Sequence, residues 1–419
     1  MATFLSSSSL RRRHLLLRLI STTTMTTTPT PTTTLSASAA KSRLRREFDP
    51  DRAISILSSV SEPPSSHPAS SLHALSLAAR RLSRSRRFAD AAALLDARRD
   101  PALNPLASSE PYLAALISSY GAASLPDHAL AAFRDVPRLT SSPHSPLSFN
   151  ALLSALVRSK RHRRVPALFR DLSAELRIVP DAVSYGILIK ALCLSGKTQK
   201  AFETFQQMRD EKSIAPTAVI YTTLIDSLYK EGKDREADDL WKEMALSSCA
   251  PDRTAYNVRV MHRALHGRPE EVLELLKEME SVGARPDTIS YNFLMTCYSK
   301  NGLFDEAKEL YKHLGEKGCV PNAATYKTLL AYLCQNGDFE GGLGVFRDSL
   351  RRNKVPDFRT MKMLVEGLAK EGKVEEAKGV IKVVKEKFPD DLVGGWKKLE
   401  KELGLSSEDD VTNPEEETA

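Results

Sequence analysis

Aromatic residues are scarce in this chain, at 6% of its 419 positions, although hydrophobic residues make up 42%. So many aliphatic side chains with so few rings suit a helical protein with many small cores. Cysteine is equally thin. The five cysteines (Cys193, Cys249, Cys297, Cys319, Cys334) include no Cys-x-x-Cys pair, and no histidine cluster stands at zinc spacing. That argues against a disulfide framework or structural zinc, and for a reducing compartment. No uninterrupted run of 18 apolar residues occurs, so no segment reads as a membrane span. A Gly-x-x-x-x-Gly-Lys-Ser/Thr phosphate loop is also missing.

The net charge of +7 is unevenly spread. Residues 1–46 contain eight Lys or Arg and no acid, whereas residues 407–419 contain six acids and no base. The body between them carries only +5, and its basic residues concentrate in 71–180, with sixteen Lys or Arg against eight acids. The start of the chain reads as an address: Arg11, Arg12, Arg13 and Arg18 surround a short apolar stretch, and Ser and Thr abound. A secretory signal needs a longer apolar core, so an organellar transit peptide fits better, mitochondrial rather than plastid. Arg18-Leu19-Ile20-Ser21 looks like a matrix-protease site, and the Thr-rich stretch after it is expected to lack structure.

An internal repeat decides the fold. Tyr185, Tyr221, Tyr256, Tyr291 and Tyr326 follow one another at 36, 35, 35 and 35 residues. Gly196, Gly232, Gly267, Gly302, Gly337 and Gly372 keep the same beat, as do Pro180, Pro216, Pro251, Pro286, Pro321 and Pro356. Each unit holds two helical patterns. In 288–322 the first presents Tyr291, Leu294, Met295 and Tyr298, and the glycine Gly302 ends it. The second opens on Asp305 and Glu306, which favour a helix N-terminus, and carries Ala307, Leu310, Tyr311 and Leu314 on one face. Neither helix can bury its apolar face alone, so successive units must stack. The expected fold is all-α: a right-handed α-solenoid of helix-turn-helix repeats of about 35 residues.

The stretches Tyr-Asn-Phe-Leu-Met (291–295), Asn-Gly-Leu-Phe-Asp-Glu-Ala-Lys-Glu-Leu-Tyr (301–311) and Gly-Cys-Val-Pro-Asn (318–322) resemble the pentatricopeptide repeat family, in its pure-repeat class. Clear units run over 146–181, 182–217, 218–252, 253–287, 288–322 and 323–357, with a last one at 358–390. Degenerate units lie at 110–145 and about 72–109, and a half-unit at 50–60. The domains expected are a transit peptide with a disordered Ser/Thr-rich linker (1–46), degenerate repeats (47–109), the array (110–390), a capping helix (391–405) and an acidic disordered tail (406–419). Pro166, inside a second helix, is expected to kink or shorten it.

The resemblance implies that the first helices bind single-stranded RNA, one base per repeat. Two positions per unit would read the base edge: the residue after the tyrosine, and the last of the unit. Asn150 with Asp181 and Asn257 with Asp287 would match uracil; Thr222 with Asp252, guanine; Asn292 with Asn322, a pyrimidine, cytosine more than uracil. Val183, Val219 and Ile289 would sandwich bases, and Arg158, Lys230, Lys300 and Lys370 would meet phosphates. Gly186 with Thr217, and Ala114 with Ser145, have no assignable preference, and Lys327 and Lys362 are too long for the reader position. The same Asn and Asp residues have helix capping as their alternative reading, and the tyrosines are read as core packing rather than base stacking.

Neither His-x-Glu nor Cys-x-x-Cys occurs, so no deaminase chemistry is read, and no cofactor, metal or small-molecule substrate is expected. The partner expected is organellar RNA, messenger or ribosomal. Two readings stay open: a protein of RNA processing, stability or translation, and a subunit or scaffold on the mitochondrial ribosome with little base reading.

Overall fold

The computed structural model describes residues 35–405 except 48, 61–67, 103, 248, 388 and 389. The Arg-rich start with its cleavage motif, and the acidic tail, lie outside the described residues. Among the described residues twenty-two α-helices follow one another, and the only β-pairing there is one isolated bridge, Leu35 to Val60. The chain divides after Cys249 into two compact units.

The first unit is six helix pairs. They are α1 (Ala37–Arg46) with α2 (Pro50–Ser58), and α3 (Pro68–Arg84) with α4 (Phe88–Asp96). Then come α5 (Glu110–Ala122) with α6 (Pro126–Arg134) and the short α7 (Val136–Thr140), and α8 (Pro146–Arg158) with α9 (Val165–Glu175). The last two are α10 (Ala182–Leu194) with α11 (Thr198–Gln206), and α12 (Ala218–Lys230) with α13 (Asp234–Leu246). Each first helix packs on its own second helix, and within the unit successive first helices pack on one another, as a solenoid of stacked repeats requires. A line of rings runs through this core, Phe133–Phe149–Phe169–Tyr185, with centroids 5.4–6.5 Å apart.

The second unit continues the pattern with four pairs and a cap. Its pairs are α14 (Arg253–His266) with α15 (Pro269–Ser281), α16 (Thr288–Lys300) with α17 (Phe304–Lys312), α18 (Ala323–Gln335) with α19 (Phe339–Arg351), and α20 (Phe358–Lys370) with α21 (Val374–Lys387). The last helix, α22 (Asp390–Glu402), buries Trp396 and Leu399, and the Trp396 ring meets Phe358 edge-on at 4.8 Å.

The glycine beat has a backbone cause. Gly196, Gly232, Gly302, Gly337 and Gly372 all sit at φ between 68° and 77°, where a side chain is strained. Gly267 departs from this expectation. Its φ is −108°: α14 runs one residue longer, to His266, and Gly267 is its extended C-cap. Pro166 does not kink a helix either: it stands in the first turn of α9, where its missing N–H leaves no bond unmade, so the helix is shortened instead. A third departure concerns the leader. Residues 37–46, expected to be unstructured, form α1, capped by Ser36 and burying Ala40 and Leu44. The half-unit at 50–60 is thereby the second helix of a pair.

Candidate RNA-binding face

The last residue of a repeat is the N-cap of the next repeat's first helix. The Asp181 carboxylate accepts from the Ser184 N–H at 2.8 Å, Asp287 from Ile289 and Ser290, Asn322 from Ala324 and Thr325, and Asp252 from Ala255 at 2.9 Å. Asp357 caps α20 in the same way. In α10, α16 and α18 the bond is returned: the side chain of Ser184, Ser290 or Thr325 accepts from the N–H of the cap residue, completing a capping box. The capping alternative is therefore realised.

It does not displace the reader geometry, because the same atoms also meet the reader. Asn150 donates from Nδ2 to Asp181 Oδ1 at 3.1 Å, Asn257 to Asp287 Oδ1 at 3.4 Å, and Asn292 to Asn322 Oδ1 at 3.4 Å. Three of the four expected pairs are thus joined side chain to side chain. For the fourth, Thr222 gives its hydroxyl to the Ala218 carbonyl at 2.7 Å in the first unit, and Asp252 caps its helix in the second. Burial pushes the Asp181 carboxyl up, but bonds from the Ser184 N–H, the Asn150 amide and the Ser184 hydroxyl outweigh it and hold the group below the usual aspartate range. At neutral pH it is a fixed acceptor.

Exposed aliphatic residues stand three before the reader. Val183 is 57% exposed, Val219 66% and Ile289 47%. Leu147, 49% exposed and three residues before Asn150, occupies the same place and was missed by the sequence reading; aligning the repeats on the reader asparagine finds it. At the far end of the first helices, Arg158, Lys230, Lys300 and Lys370 are each the last helical residue, and each is exposed. A cation there also favours the helix C-terminus. Lys230 pairs with Asp226, and Lys300 donates to the Leu265 carbonyl at 2.9 Å.

The long cations at reader positions are tied down: Lys327 meets Asp357 at 2.6 Å, and Lys362 meets Glu366 at 3.5 Å. The repeat tyrosines are core residues, as the packing alternative held. Tyr221, Tyr256 and Tyr326 are buried, and each hydroxyl donates to a carboxylate 22 residues on: Glu243, Glu278 and Asp348.

Profiles of the PPR repeat family match residues 216–260 and 286–331, and PPR repeat profiles match 176–209, 264–283, 324–353 and 359–387. Among curated proteins, a mitochondrial pentatricopeptide repeat-containing protein of Arabidopsis thaliana is 45% identical over 129 residues, covering 31% of this chain and 30% of that protein. The Arabidopsis thaliana small ribosomal subunit protein mL103 (rPPR7) is 44% identical over 222 residues, covering 53% of each. This chain thus spans about half or less of the length of these relatives. Among solved structures, the maize pentatricopeptide repeat protein PPR10 aligns over 99% of this chain and 60% of its own, at 22% identity and a TM-score of 0.44. With its repeat register, its capped helix pairs and the repeat profiles that match it in view, the chain belongs to the pentatricopeptide repeat family.

Proposed function

We propose that this chain is a mitochondrial RNA-binding protein of the pure-repeat class, holding single-stranded RNA in RNA processing, stability or translation. The observation that carries the reading is the set of reader pairs joined across repeat boundaries, each flanked by an exposed aliphatic residue. An amide beside an acceptor can meet a pyrimidine's Watson–Crick edge, and the aliphatic neighbours can hold the ring. The protein acts by binding rather than by catalysis. The mitochondrial assignment draws on the curated relative and on the acid-free, Arg-rich first 46 residues.

A second reading has its own support. The likeness to a small ribosomal subunit protein covers half of this chain, and few repeats carry a complete reader pair. So short a code recurs too often in a transcriptome to select one RNA, which favours a ribosome-bound scaffold that grips rRNA backbone. Competition among randomised short RNAs separates the two. On the first reading, Asn257→Ala weakens binding of RNA bearing its preferred base by about 1–3 kcal/mol and abolishes the preference at that position. Lys230→Ala and Lys300→Ala weaken all sequences alike and flatten the salt dependence. No base preference in the wild-type protein, together with co-sedimentation with the small ribosomal subunit, would establish the scaffold instead.

A further inference from the structure

A reader asparagine can present its amide either way round, and what it presents decides what it reads. Its Nδ2 offers donors, its Oδ1 an acceptor, and the orientation follows the bonds the amide makes inside the protein. In two of the three joined pairs a third residue makes such a bond. The Ser184 hydroxyl reaches Asn150 Oδ1 at 2.6 Å, and the Ser290 hydroxyl reaches Asn257 Oδ1 at 2.6 Å. The serines' other acceptors, Asp181 Oδ1 at 2.9 Å and Asp287 Oδ1 at 3.2 Å, are farther. Each also already accepts a backbone N–H and the asparagine Nδ2. One proton serves a hydroxyl, so it goes to the asparagine carbonyl. The third pair differs. The Thr325 hydroxyl is directed to Asn322 Oδ1 at 3.3 Å, and Asn292 Oδ1 is buried with no hydrogen-bond partner, in a residue 7% exposed.

We infer that the serine at the third position of the following helix, Ser184 or Ser290, is a specificity-determining positioning residue, locking the reader amide with its donor outward. The inference rests on the base-reading proposal above. With Oδ1 held by serine, and one Nδ2 hydrogen on the aspartate, the remaining Nδ2 hydrogen is left for the base, beside a carboxylate that accepts. A donor next to an acceptor complements uracil, which offers O4 and N3–H. Cytosine offers N4–H and N3 in the opposite order. Asn292 has no such lock. As it stands its Nδ2 offers uracil the same donor, and because nothing in the protein holds the buried Oδ1 the amide can turn over and accept from a cytosine amine, so that pair tolerates either pyrimidine.

The experiment uses the full chain and short RNAs that differ only in U or C opposite Asn150 or opposite Asn257. The wild type should prefer U at both. Ser290→Ala should cut the U-over-C ratio opposite Asn257 by about fivefold, a fraction of a full base mismatch, and leave the ratio opposite Asn150 unchanged. That second ratio shows that the array is still folded. Ser184→Ala reverses the roles in the other unit, so a folding failure in one variant leaves the other decisive. Discrimination in the wild type that survives both substitutions overturns the lock and leaves base reading intact. A wild type indifferent at both bases overturns base reading, and the lock with it.

Discussion

At the scale of single residues, the repeat tyrosine shows how a packing position leaves a measurable trace. Burial, and then the neighbouring carboxylate, push Tyr221, Tyr256 and Tyr326 up to about 12 from an ordinary value of 10.0. Burial is the leading cause in all three. The unfolded chain therefore releases these protons near pH 10, while the native state keeps them until about 12. Across that window the native state binds more protons, so stability falls as pH rises. An ultraviolet titration of phenolate should show late-titrating tyrosines, and Tyr256→Phe should remove one of them and soften the alkaline loss of stability. An unfolded-like titration of all tyrosines near pH 10 would contradict the buried hydroxyl–carboxylate pairs. The tyrosine beat was legible in the sequence because it recurs every 35 or 36 residues. The hydroxyl's partner was harder to read, because its identity changes between Glu243 and Asp348 and the same place, 22 residues after the tyrosine, holds Gln207 and His313 in other repeats.

Between elements, the approach of neighbouring first helices depends on what their contact faces omit. A Cβ built on Gly121 in α5 would lie 2.5 Å from the Cα of Ala155 in α8 and 2.7 Å from its Cβ. The glycine lets two backbones meet, and the Ser159 hydroxyl uses the gap to reach the Gly121 carbonyl at 3.4 Å. Gly121→Ala should therefore destabilise by about 1–3 kcal/mol through overpacking, although alanine is the better helix former by up to about 1 kcal/mol. Denaturant unfolding that finds the variant equal to or more stable than wild type would refute this. Helix ends were largely readable from Gly, Pro and the acids of the first turns, since each has a local backbone reason. Helix α1 was not readable. Its Ser, Ala and Arg also compose an import leader, and only burial of Ala40 and Leu44 against later helices distinguishes the two. Pro166 left two outcomes open for a related reason: a proline in a helical pattern marks either a break or a start, and the turn His162–Arg164 ahead of it makes it a start. The serine–asparagine bonds of the proposed lock were hidden more deeply, since they link residues 33 or 34 apart. The Asp-x-x-Ser capping box before each helix was its one visible mark.

Over the whole molecule, stacked repeats predict damage that stays local. Ala307 is fully buried in a cluster with Tyr326, Leu329 and Leu330. Ala307→Trp should cost about 1–3 kcal/mol, and hydrogen exchange should rise in α16 to α18 more than in α20 to α22, because coupling passes between nearest neighbours. Uniform loosening of the second unit would mean that it folds as one block. On the base-reading proposal the last residue in each repeat has a doubled duty, and another global property follows from it. Ser145, Asp181, Thr217, Asp252, Asp287, Asn322 and Asp357 are all N-caps. Helix initiation admits Asp, Asn, Ser and Thr there and penalises aliphatic residues by about 1 kcal/mol. The alphabet available for changing a base preference is thus the alphabet that keeps the helix started. A repeat can drift from one of these letters to another while the stack stays intact, so the architecture confines exploration of new RNA targets to sequences that still fold.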